Sequence, residues 1–170
     1  MNIMQFIDEY EASANKKNYV EKHITKRYLP FETKVAVAKS IINNSMYATV
    51  GDKRIFRPDS PCKHMCTTIA IVQNYTDIEL NNPNNNEVTV GEQNLISFNL
   101  LEESGATKTI LETIGMDVMK FQNIITLVLQ DTMDMERNLV PFLDTKIEAW
   151  QMAMETFGTT LQEVQAKQDE

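Results

Sequence analysis

MDVMKFQNIITLVLQDTMDMERNLVPFLDTKIEAWQMAMETFGTTLQEVQAKQDE, residues 116–170, contains one proline, Pro141, and one glycine, Gly158. A stretch so poor in chain breakers is open to helix throughout, and its apolar residues recur with the helical period. Val118, Phe121, Ile125, Val128, Met135, Leu139 and Phe142 fall on one seam. Ile124, Leu127 and Leu129 widen that seam until the helix is apolar over much of its circumference, which assigns it to a core. Pro141 lacks a backbone donor and its ring crowds the carbonyl four residues back, at a cost of about 3 kcal/mol, so a kink or break is predicted there. Beyond it Leu143, Ile147, Trp150, Met154, Phe157, Leu161 and Val164 are spaced 4-3-4-3-4-3. This is a narrow a/d seam, flanked by Asp144, Glu148, Gln151, Glu155, Gln162 and Glu163.

The stretch therefore reads as two helices hinged near Pro141: a core helix, then an acidic amphipathic one. The corresponding division is a helical domain over 1–142 and a C-terminal helix over 143–170. A narrow seam needs a facing groove, supplied by the chain's own body, by a second copy or by a partner. Leu143, Ile147, Trp150, Met154, Phe157 and Leu161 are the candidate protein-interaction residues, because large apolar side chains at this spacing anchor helix-in-groove recognition. The acidic end from Gln162 to Glu170 is expected to fray.

Upstream, further helices are predicted. Asn2 precedes Ile3, Phe6, Ile7 and Tyr10 at helical spacing, giving a capped helix over about 3–13. Val20, Ile24 and Tyr28 mark a second, Tyr19 to Tyr28, stopped by Pro30. A third opens at Pro30 and buries Val35, Ala38, Ile41 and Ile42 up to Asn43-Asn44. The period then changes: Tyr47-Ala48-Thr49-Val50, Gly51-Asp52 and Lys53-Arg54-Ile55-Phe56 read as a β-hairpin within about 46–57, lying on the helical body or protruding as a contact element. Ser60-Pro61 is read as a cap and first turn of a helix reaching Glu79 or Leu80. Asn81 to Asn86, around Pro83, is a loop. Gly91 to Glu103 and Thr107 to Ile114 complete the set, closed by Gly105 and Gly115. The fold class is mainly α, a multi-helix bundle with one short hairpin and a long C-terminal helix.

The scarcity of Gly and Pro, five of each in 170 residues, disfavours a turn-rich all-β fold. Nowhere do about 18 apolar residues follow one another, and the start MNIMQFIDEYEA lacks a basic, apolar leader, so a soluble cytosolic protein is expected. Cys62 and Cys66, four apart, suit a reducing compartment. The net charge of −8 is unevenly placed. Eleven Lys/Arg face four acids between Lys16 and Lys63, whereas five face seventeen beyond Lys63. Such a dipole steers an encounter or draws copies together, unless the two halves attract each other within the fold.

Chemistry-bearing motifs are few. On a helix Cys62 and Cys66 share a face while His64 points away, leaving at most two convergent ligands where structural zinc needs four, so neither metal nor other cofactor is expected. Asp131, Asp134 and Glu136 without histidine read as a solvated face, and no glycine-rich phosphate loop or nucleophile motif is present, so an enzyme is not expected. Lys16, Lys17, Lys22, Lys26 and Arg27 interleave with Tyr19 and Tyr28 as a basic patch, the one feature suited to nucleic acid. The acidic whole opposes that use.

The pieces Lys16-x5-KHITKRYLPFETKVAVAKSII, the hairpin, SPCKHM (60–65), YTDIEL (75–80) and LVLQDTMDMERNLVPFL (127–143) resemble small accessory proteins of bacteriophages infecting Gram-positive bacteria. The resemblance covers about residues 16–145 and carries no functional residues across. It implies a virion-structure or assembly role through protein contacts and self-association, in host cytoplasm or virion. An infection-stage inhibitor whose acidic half binds a host protein is the alternative, with nucleic-acid binding through 16–27 third.

Overall fold

Asn2 accepts the amide of Met4 at 2.9 Å and so satisfies one of the free donors that open α1, Ile3–Ala12. Asn15 does the same for α2, Lys16–His23. The chain is described by a computed structural model over residues 1–80 and 88–166, with the side chains of 140–142, 144–146 and 149–166 left aside. The asparagine loop at 81–86 and the chain end at 167–170 lie outside the described residues.

The second helix starts and ends earlier than its periodicity suggests. At Ile24 the chain turns extended and bridges Thr76 antiparallel, and the amides of Thr25 and Lys26 both donate to the Tyr75 carbonyl, at 2.8 and 3.2 Å. Two β-branched residues favour that backbone, and the long-range bonds replace the helical ones.

After α3, Phe31–Met46, come β1, Tyr47–Val50, and β2, Lys53–Phe56, antiparallel with Tyr47 opposite Phe56 and Val50 opposite Lys53. Gly51 takes φ 60 at the first central position of the two-residue turn, which glycine adopts without steric cost. α4, Ser60–Tyr75, is capped by Asp59, whose carboxylate accepts the Cys62 amide at 2.8 Å. Ser60 is therefore not the cap; an aspartate caps equally well, and proline is harmless anywhere in a first turn with free amides. The helix stops at Tyr75, short of Glu79, because residues 76–79 find other partners. Thr76 Oγ1 donates to the Val72 carbonyl and accepts the Ile78 amide, and Glu79 bridges Asn2 in parallel.

α5, Val90–Glu103, opens with a capping box between Thr89 and Glu92. α6, Ala106–Ile114, lies between Gly105 at φ 72 and Gly115 at φ 74, and α7 runs over Met116–Ala166. Among the described residues the protein is thus seven helices and one hairpin, a mainly α architecture.

The chain forms two units, Met1–Val128 and Leu129–Glu170. In the first, α3 packs on α4, α2 on α6 and α5 on α6, around Phe6, Val20, Leu29, Ile71, Tyr75 and Phe121, all essentially sealed from water. α7 contributes Val118, Phe121 and Ile125 to that core. The core helix expected to reach Phe142 thus sheds its buried role much earlier, for Leu127, Met135 and Leu139 are exposed. Periodicity reports which residues share a face and not where the facing surface ends.

Nor is α7 interrupted at Pro141. One missing donor leaves the hydrogen-bond ladder intact on both sides in a 51-residue helix, and Arg137, whose carbonyl loses its partner, is open to water. No helix among the described residues is long and apolar enough to cross a membrane.

Candidate functional site

Spacing of four along a helix places residues in one slowly turning ridge, and Met135, Leu139, Leu143 and Ile147 are spaced that way. Their side chains are 74, 51, 48 and 55% exposed. Asp131 and Asp134, also exposed, border the groove formed with Met135, Asn138 and Leu139. Of the six residues predicted to make protein contacts, Leu143 and Ile147 are therefore on the surface. Trp150, Met154, Phe157 and Leu161 lie on α7, but their side chains fall outside the described residues. The hairpin adds a second exposed apolar set, Val50, Ile55 and Phe56, with the Arg54 guanidinium 4.1 Å from the Tyr47 ring centre.

The basic patch is exposed at Lys16, Lys17, Lys22, Lys26 and Arg27, yet its parts are engaged within the chain. Arg27 pairs with Glu21, and the Lys16 ammonium sits 4.7 Å over the Tyr10 ring. Tyr19 is enclosed by Phe6, Tyr10 and His23, with its hydroxyl on Glu9 at 3.2 Å. Burial and the adjacent Glu9 carboxylate push that phenol up to about 12. Tyr28, the exposed aromatic, carries the Lys34 ammonium 4.7 Å over its ring. The stacking faces a nucleic acid would use are thus largely taken.

Sequence reading missed the most demanding polar feature. Lys34 and Asp117, 3 and 7% exposed, form an ion pair at 2.5 Å between α3 and the first turn of α7. The same carboxylate accepts the Leu29 amide at 3.0 Å and the Tyr75 hydroxyl at 2.8 Å. Burial pushes the Asp117 carboxyl upward, but the hydrogen bonds from Lys34, Leu29 and Tyr75 outweigh it and hold the group below the ordinary carboxylate range. Burial and the hydrogen bond to Asp117 raise Tyr75 far above its usual value, so it remains a donor. The one sequence signal was an acid in the first turn after Gly115, where the helix dipole favours it.

Between α3 and α4, Ser40, Asn44, Cys66, Gln73, Asn74 and Asn94 help line a cleft of about 430 Å³. The Asn94 Oδ1 is buried there without a hydrogen-bond partner. Cys62 and Cys66 share a face, as their spacing predicts, with sulfurs 3.9 Å apart, and burial together with Cys62 pushes the Cys66 thiol up to about 11. A thiol held there is protonated and unreactive at neutral pH. His64 stands edge-on to Phe98, and His23 contacts Asp77 at 2.9 Å. Among the described residues no group of three His, Cys, Asp or Glu is placed to hold a metal ion.

No protein-family model, curated protein or solved structure matches the chain.

Proposed function

We propose that this is a non-enzymatic, phage-type protein that acts through helical protein–protein contacts in virion structure or assembly. The observation that supports it is the exposed ridge Met135, Leu139, Leu143 and Ile147 on α7. Four large apolar side chains in a row on one helix lose hydrophobic free energy while they face water, and covering them is worth roughly 1.5–3 kcal/mol each when burial is complete. The buried Lys34–Asp117 pair is taken up in holding the first unit together, and burial beside Cys62 keeps the Cys66 thiol protonated.

The test is replacement of Leu143 by Asp in the chain produced during infection. Loss of the protein from purified particles, with unchanged helical circular dichroism, is the expected outcome. Equal recovery of variant and parent in particles overturns the reading.

A second reading has one observation in its favour: Asp131 and Asp134 are exposed beside the ridge. An acidic rim around apolar anchors suits a basic groove on a host protein, as an infection-stage inhibitor would use. Charge-neutral Asp131→Asn/Asp134→Asn then weakens host-protein binding and steepens no other defect. The basic segment from Lys16 to Arg27 has less support, since Arg27, Lys16 and Tyr19 are held within the chain.

A further inference from the structure

Continued towards the N-terminus, the 4-3 spacing of Leu143 and Ile147 picks up Val140, Glu136, Met133 and Leu129. The seam therefore begins at Leu129, where the second unit begins, and runs to Val164. Its eleven a and d positions hold ten apolar residues and one acid, Glu136 at d. Within the second unit α7 is the only element among the described residues, so the unit has no second helix to cover this seam.

The charges say what does. Asp131, Asp134, Glu148, Glu155 and Glu163 all fall at the outer b, c and f positions. The flanking e and g positions from Gln130 to Gln165 are nearly neutral, with Arg137, Asp144 and Lys146 as their only charges. An acidic helix built to meet a basic groove would carry most of its acids beside the seam; this one sets five of seven at outer positions, with Glu136 in the seam and Asp144 beside it, which favours pairing with a like-charged copy.

We infer that this seam, which shares Leu143 and Ile147 with the ridge proposed above while Met135 and Leu139 fall at c and g beside it, takes a second copy of the same helix, antiparallel, with Val140 against Leu143 of the second copy. The inference rests on that reading and names its partner. In a parallel pair Glu136 would meet its own counterpart in the core, and no charges would match along the flanks. In the antiparallel register Arg137 lies across from Asp144 of the second copy. Glu136 meets Ile147 with Lys146 beside it, and two-fold symmetry makes each pair twice. Sliding one heptad either way sets Asp144 against Asp144 or Arg137 against Arg137. Sliding two, so that Ile147 meets Trp150, sets Asp144 across from Gln151 and Arg137 across from Gly158, and the matched flanking pair is lost.

Two measurements test this. In sedimentation, the chain with its native cysteines dimerises; Arg137→Asp weakens the dimer about tenfold and Arg137→Asp/Asp144→Arg restores it. Failure of the double variant to restore it overturns the register. A spin label at Asp131→Cys, in a Cys62→Ser/Cys66→Ser chain, gives a pair distance set by about 32 Å along the axis. A parallel pair gives a short distance set by the helix separation, the two-heptad slide gives about 52 Å along the axis, and either overturns the register. A concentration-independent monomer overturns self-pairing altogether, whereas the contact reading stands or falls separately on whether Leu143→Asp is lost from particles.

Discussion

Asp117 gathers three donors from three parts of the chain: the Lys34 ammonium, the Leu29 amide and the Tyr75 hydroxyl. Removing it strands all three in a site that water does not reach, whereas removing Lys34 leaves the carboxylate with two partners. Breaking a buried pair from one side costs about 3–5 kcal/mol, so both changes destabilise, and Asp117→Leu is expected to cost more than Lys34→Met in urea unfolding. Equal costs would mean that the ammonium alone matters. The pH dependence follows from the lowered folded-state pKa of Asp117. Its stabilisation is complete above the ordinary carboxylate range and is lost as the pH falls through the folded value, beneath roughly pH 4. The stability gap between the parent and Asp117→Asn should therefore narrow as acid is added, and a constant gap from neutral pH downward would refute the linkage. None of this was legible beforehand, because Lys34 and Asp117 are 83 residues apart and each looks like an ordinary surface charge in its own helix.

At the scale of elements, local signals were readable and their limits were not. The hairpin was placed to the residue because a Gly-Asp turn sits between two β-rich runs. The Asn2 cap and the closing positions of Gly105 and Gly115 were equally local. The Thr89-x-x-Glu92 capping box is just as local and starts α5 at Val90, one residue ahead of the glycine that the apolar pattern points to. The ends of α2 and α4 escaped because Ile24 and Thr76 leave the helix for each other, a choice made by a strand-like bridge and not by propensity. Gly115 shows what such a junction demands. At φ 74 and ψ −127 it occupies a region essentially reserved for glycine, and it aims the first turn of α7 so that Asp117 reaches Lys34. A methyl group there would meet nothing nearer than the Glu112 carbonyl at 3.9 Å, so the penalty is backbone strain alone. Gly115→Ala is expected to cost about 1–3 kcal/mol, read as a lowered urea midpoint at unchanged slope.

At the scale of the whole molecule, the division at Val128 separates a unit with a core from a helix that exposes Met135, Leu139, Leu143 and Ile147. The sequence distributes its own probes across that division. All five tyrosines, from Tyr10 to Tyr75, lie in the first unit and the single tryptophan, Trp150, lies in the second. If the first unit owes its stability to its own packing, residues 1–128 should fold alone, because the fragment keeps Val118, Phe121, Ile125 and the Lys34–Asp117 pair. Its tyrosine-monitored transition should match that of the full chain. Ending the chain at Gly115 removes all four α7 contributions and should leave it unfolded. In the full chain the tryptophan transition should follow its own curve and move with protein concentration, as dissociation of a pair does, while the tyrosine transition stays fixed. A single coincident transition for both probes, or a shifted tyrosine midpoint in the fragment, would show that the C-terminal helix contributes to the fold of the first unit and that its seam is spent within the chain.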